Sequence, residues 1–110
     1  CLVIGPGQEP RIERMVGSHT DVVPTIVDQA GWTAKYSALG RSLFDSTATS
    51  RGAVCVEGSL VIRIEDEGWI THNFSRCVTA SGANADAIER RLLSYLQVSL
   101  TLLRQNRVHP

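Results

Sequence analysis

Few residues of this chain are of types that do chemistry, and their spacing restricts what they can do. His19 stands alone at the mouth of an amphipathic segment running from Val16 to Gly31, in which Asp21 and Asp28 lie on a common helical face. A neutral imidazole at a helix start can ligate a metal or, with the free helix amides, hold an anion. It can equally serve as a capping or surface histidine, and both readings stand. Asp21 and Asp28 could pair as two carboxylates, although complementarity to the helix dipole explains Asp21 and solvent exposure explains Asp28. Ser42 sits in Gly40-Arg41-Ser42-Leu43-Phe44, which is not the G-x-S-x-G of a nucleophile elbow. His72 follows Ile70 by two in a strand-like run and is expected on an exposed face, and His109 lies in the C-terminal tail. Cys1, Cys55 and Cys77 are odd in number and lack C-x-x-C spacing, which argues against a thiolate zinc site. Cys55 and Cys77 could pair in an oxidising compartment or remain as buried free thiols.

These residues need elements to hold them. Ser18 or Thr20 can cap the helix, Pro24 falls early where a missing amide proton costs least, and Gly31 suits the left-handed position after the last turn. Val22, Val23, Ile26, Val27 and Ala30 recur at helical spacing and predict the buried stripe of a helix of about three turns. Before it, Leu2-Val3-Ile4 reads as a short strand closed by Gly5-Pro6-Gly7, a turn rather than a phosphate loop. Trp32 to Ser50 has no clear period and reads as loop. The period then becomes two: Ala53–Val56, Leu60–Ile64 and Trp69–Phe74 predict an antiparallel meander, with a tight turn at Glu57-Gly58 or Gly58-Ser59 and another at Asp66-Glu67-Gly68. Leu60, Ile62 and Ile64 share one face. Ser81-Gly82-Ala83-Asn84 opens a long helix to about Asn106, with Ile88, Leu92, Tyr95, Leu96, Ser99, Leu102 and Leu103 on its apolar face, the natural cover for a small sheet. The expected fold is α+β: an N-terminal strand and short helix, a sheet of three to four strands, and a long C-terminal helix across it.

At 110 residues, 43% hydrophobic and 20% charged, the chain has the composition of one soluble domain. The net charge is zero, and no basic cluster shows beyond Arg90-Arg91 and the tail arginines Arg104 and Arg107, so a nucleic-acid partner is not expected. No apolar run approaches the roughly 20 residues of a membrane span, and no signal-peptide pattern opens the chain. A chain that begins at Cys1, directly in a strand-like run, is expected to be a fragment of a longer protein, a trimmed chain or a processed product.

His19-Thr20-Asp21-Val22-Val23-Pro24-Thr25-Ile26-Val27-Asp28-Gln29-Ala30-Gly31 resembles the D-x-x-P-T-[IL]-[LV]-x-x-x-G helix of sulfatases and lipoteichoic-acid-synthase-like transferases. The preceding Leu2–Gly7 is similar to the last core strand of that fold. The following Gly40-Arg41-Ser42-Leu43-Phe44 is similar to the family's G-x-S-L element, and Leu92–Arg107 to the C-terminal helix of its bacterial transferase branch. The pieces keep the family's order and span most of the chain. The resemblance implies the C-terminal subdomain of an α/β alkaline-phosphatase-superfamily enzyme that attacks sulfate or phosphate esters with a divalent metal (Mn, Mg, Ca or Zn) in the parent. It implies an extracytoplasmic location and the rest of the catalytic domain as partner. The family's nucleophile and main metal ligands precede this region, so no catalytic residue, metal ligand or cofactor is expected in this chain by itself. His19 alone carries over as a residue near metal or substrate, from the S-H-D-N start of phosphoethanolamine-transferase relatives. The alternative is a non-catalytic interaction or dimerisation module, pairing through Leu2-Val3-Ile4 as an exposed edge strand.

Overall fold

The computed structural model describes residues 5, 7, 9–33, 36, 38–48 and 50–107. A 3-10 turn, His19–Asp21, leads into α1, Val22–Gln29. Four strands follow, β1 (Gly52–Glu57), β2 (Leu60–Glu65), β3 (Gly68–His72) and β4 (Cys77–Ser81), and then α2 (Ala85–Arg104). The fold is α+β, as the sequence implies. The expected Leu2–Ile4 strand, the edge proposed for dimerisation, and His109 lie outside the described residues.

The sheet is antiparallel in the order β1-β2-β3-β4, each strand beside its neighbour in sequence. Glu57 pairs with Leu60 and Glu65 with Gly68, so the first two hairpins close through two-residue loops, Gly58-Ser59 and Asp66-Glu67. Gly58 takes φ +58, the left-handed backbone that such a loop requires. β4 was not expected as a strand. It adds to β3 through His72–Cys77 and Thr71–Thr79 pairs, with an irregularity between Thr71 and His72.

One face of the sheet receives α2. Val61, Ile70, Ile88 and Leu92 are fully buried between them, with Val54, Cys77, Ala85 and Leu96 packed around. This corrects the expected choice of face. α2 covers the side carrying Val61 and Glu65, while Ile64 and Trp69, paired across β2 and β3, remain 41% and 38% exposed. Both faces of β2 hold apolar residues, so periodicity alone does not choose between them. An ion pair from α2 to Glu65, described below, anchors the helix on the less apolar side.

α2 is about 30 Å long by its rise per residue, and its packing into the core ends at Leu96. Leu103, expected on the buried stripe, is therefore exposed, as are Val98 and Leu100. The stripe of α1 is also corrected. Val23 and Ile26 are each 54% exposed, and the buried residues of this segment are Asp21, Pro24 and Thr25. α1 turns toward the backbone of the 40–44 segment, which it meets through hydrogen bonds.

Candidate functional site

Residues 18–28 and the 40–44 segment are held together by side chains that serve the backbone. Ser18 N donates to Asp21 Oδ2 (2.8 Å) and Arg41 N to Asp21 Oδ1 (2.9 Å), so both oxygens of this buried carboxylate are engaged. Thr25 Oγ1 donates to the Asp21 carbonyl (2.6 Å) and accepts from Leu43 N (2.9 Å). Ser42 Oγ donates to Asp28 Oδ2 (2.5 Å) and accepts from Phe44 N (3.1 Å). Asp21 and Asp28 thus do not face each other as an acid–base pair, and Ser42 is a link between α1 and the loop. Asp28, though exposed, is held by that link.

Gly40 lets the two segments meet. A Cβ there would lie 2.2 Å from the Thr20 carbonyl oxygen, a backbone atom that cannot swing aside. Gly40→Ala is therefore expected to cost about 3 kcal/mol locally, as overpacking does. Hydrogen exchange checks this: the Arg41 and Leu43 amides should lose protection while those of β2 and β3 keep theirs.

His19 is exposed on the first residue of the 3-10 turn, and its ring makes no hydrogen bond or ion pair among the described residues. Among those residues, no three His, Cys, Asp or Glu side chains group to hold a metal.

His72 lies under α2, not on an exposed face. It shares the inner face with Ile70 and is 3% exposed. Its Nδ1 accepts from Phe74 N (2.9 Å), which places the ring proton on Nε2, 3.2 Å from Glu89 Oε1 of α2. Phe74, whose φ of +68 is rare for a residue with a side chain, is thus fixed at the β3–β4 turn by a ring in the core.

Cys55 and Cys77 are both free. They occupy β1 and β4, at opposite edges of the sheet, about 14 Å apart at the usual strand spacing. A disulfide needs Cα atoms within about 7 Å, so these two thiols cannot pair in this fold.

The sequence did not reveal a cluster of arginines assembled from three segments. Glu65, buried on β2, accepts Arg63 Nε (2.6 Å) and Arg91 Nε (2.8 Å) on Oε1, and Arg91 Nη2 on Oε2. Burial pushes the Glu65 carboxyl up, but the hydrogen bonds and charges of Arg91 and Arg63 outweigh it and hold the group below its ordinary range. Arg51 donates to the carbonyls of Ser42 (2.7 Å) and Asp45 (3.0 Å). The Thr47 hydroxyl and amide hold the exposed Asp45 carboxyl low as well.

Above this cluster lies an open groove of about 520 Å³ along α2, lined by Leu39, Arg63, Arg91, Tyr95 and Val98 among others. It shares Leu39, Arg63 and Tyr95 with a second cavity of about 170 Å³ that reaches Arg41, Arg51 and Asp21. Arginines far apart in the chain converge there because β2, α2 and the loop before β1 meet at this edge. Spacing along one element could not have shown it. Comparison with protein families, curated proteins and solved structures finds no match to this chain.

Proposed function

We propose that this chain is the C-terminal subdomain of a metal-dependent sulfatase-like hydrolase, or of a phosphoglycerol or phosphoethanolamine transferase, acting on sulfate or phosphate esters. One observation carries the reading. The residues on which the family resemblance rests, Asp21 and Thr25 of D-x-x-P-T and Gly40, Ser42 and Leu43 of G-x-S-L, interlock through the hydrogen bonds and close approach described above. Two motifs about twenty residues apart thus have a common physical purpose, to hold α1 and the following loop as one unit. The outward Val23 and Ile26 give that unit an apolar side for the catalytic domain to cover.

In this reading the segment buttresses the parent's active site and does no chemistry alone. His19, accessible and without a described partner, is the one residue here that would reach the metal or the substrate. The metal itself would stabilise charge on the ester oxygens. The parent acts on the extracytoplasmic side of the membrane. Among the described residues no helix is long and apolar enough to cross it.

The test has two arms. The coding sequence upstream of Cys1 should contain a threonine, serine or cysteine nucleophile beside metal-binding carboxylates. The parent protein should hydrolyse an aryl phosphate or aryl sulfate with manganese or zinc, and His19→Ala should lower that rate about 10-fold or more. Metal-dependent turnover by the 110-residue chain alone would overturn the claim that it is inert. An upstream sequence without those residues would favour the second reading, an interaction or dimerisation module, for which the open sheet face at Ile64 and Trp69 speaks.

A further inference from the structure

The groove beside α2 and the smaller cavity continuous with it have different chemistry at their two ends. The groove is mainly apolar, with Leu39, Ala87, Tyr95 and Val98 among its walls, although Arg90, Arg91 and Ser94 line it as well. The near end carries Arg41, Arg51 and Arg63. The Arg63 side chain is only 11% exposed, and Nε is its one atom with a described hydrogen bond, to Glu65. Its Nη atoms make none among the described residues, yet no buried side-chain nitrogen or oxygen there lacks a partner. The Nη atoms therefore keep access to the cavities they line. Gly52 leaves that space open: a Cβ at this position would stand 2.7 Å from Arg63 Nη2. Arg41 is exposed, and its guanidinium has no described hydrogen bond. In a chain of zero net charge, this end holds two guanidinium groups with nitrogens free of described hydrogen bonds, Arg41 in the field of Asp45 and Arg63 beside Glu65.

The surroundings select the kind of anion. Tetrahedral oxyanions such as phosphate are commonly cradled by free backbone amides. Here the Ser18 and Arg41 amides are both committed to Asp21. The carboxylates of Asp21 and Glu65 stand close by and repel a dianion more than a monoanion. A guanidinium fork takes a carboxylate as well as it takes a phosphate, as Arg91 shows by binding Glu65 through Nε and Nη2, so the preference for a carboxylate comes from that repulsion. The groove volume of about 520 Å³ falls in the range that accepts a small ligand.

We propose that this cleft binds a small amphipathic carboxylate, its head on Arg63 and Arg41 and its apolar body along Tyr95 and Val98. The site is independent of the family reading above, since it uses no metal, His19 or ester chemistry.

The test is a titration of the isotope-labelled chain, followed by amide NMR, with octanoate, acetate and octyl phosphate. Octanoate should shift the amides of Leu39, Arg41 and Tyr95 and bind at least about tenfold more tightly than acetate, because only octanoate buries an apolar body. Octyl phosphate should bind no more tightly than octanoate. Arg41→Gln, at an exposed position outside the core, should weaken octanoate about tenfold by removing one charge-assisted contact. Gly52→Ala, which crowds the Arg63 guanidinium, should weaken it as well. Octanoate binding no better than acetate, a tenfold preference for octyl phosphate, unchanged affinity in Arg41→Gln, or shifts confined to the face of Ile64 and Trp69 would each overturn the proposal.

Discussion

Glu65→Ala should destabilise the fold by about 3 kcal/mol, because it leaves Arg63 and Arg91 without their shared anion beneath α2. The Arg91 side chain is 36% exposed, and solvent screens its part of the interaction, so the effect belongs at the low end of what breaking a buried pair costs. Acid should act on the same group. Burial alone would raise the Glu65 carboxyl, but its bonds to Arg91 and Arg63 hold it below the ordinary 4.5. A carboxyl depressed in the folded state adds stability that is complete above the unfolded value, and loses it as pH falls through the folded one. Urea midpoints should therefore hold near neutral pH and drop below about pH 4.5. In Glu65→Gln the drop should be shallower, with the part due to Asp45 and other carboxylates retained. Parallel profiles for the two proteins would sink the claim that this ion cluster anchors the helix.

Leu92→Ala should cost about 3 kcal/mol, within the range for emptying a buried leucine site. The core between sheet and helix is small: four apolar side chains are fully buried there, and Leu92 is one of them. Domains are stable by only about 5–15 kcal/mol, so a loss of this size should markedly lower the denaturation midpoint. Leu103→Ala, on the overhanging end of the same helix, should change stability by less than about 0.5 kcal/mol. Urea unfolding of the two variants separates the alternatives. Equal losses would mean that the end of α2 is covered after all.

The contrast between Leu92 and Leu103 also shows what the sequence could and could not disclose. The extent of α2 was legible from Asn84 onward, because an apolar period of 3.6 persists for many turns. Where its cover ends was not, since the sheet's reach is set by strand lengths elsewhere. That the chain turns near Gly58 and at Asp66-Glu67 was legible from turn residues between alternating strands, whereas the exact loops, Gly58-Ser59 and Asp66-Glu67 with Gly68 in β3, are set by the pairing. Cys77-Val78-Thr79-Ala80-Ser81 carries no strand signal because an edge strand needs little burial and shows little alternation; all but Cys77 are exposed. His72 was misplaced for the opposite reason. A polar residue is tolerated in the core when both ring nitrogens find partners, and Phe74 and Glu89 are not visible as partners along the chain. Asp21, Thr25, Gly40 and Ser42 show in the sequence only as cap and motif residues. The hydrogen bonds of Asp21 and Thr25 to a loop about twenty positions away became evident only in three dimensions.

The sequential order of the sheet bears on how the molecule comes into being. Each strand pairs with the one just before it, so the meander can grow by short loop closures, the regime of fast folding. The helix that seals it is translated only after β4. During synthesis, Val61 and Ile70 lack their cover until α2 emerges, and Glu65 lacks Arg91. For that interval the nascent chain carries a sticky surface whose protection is still unmade, the kind of intermediate on which chaperones act.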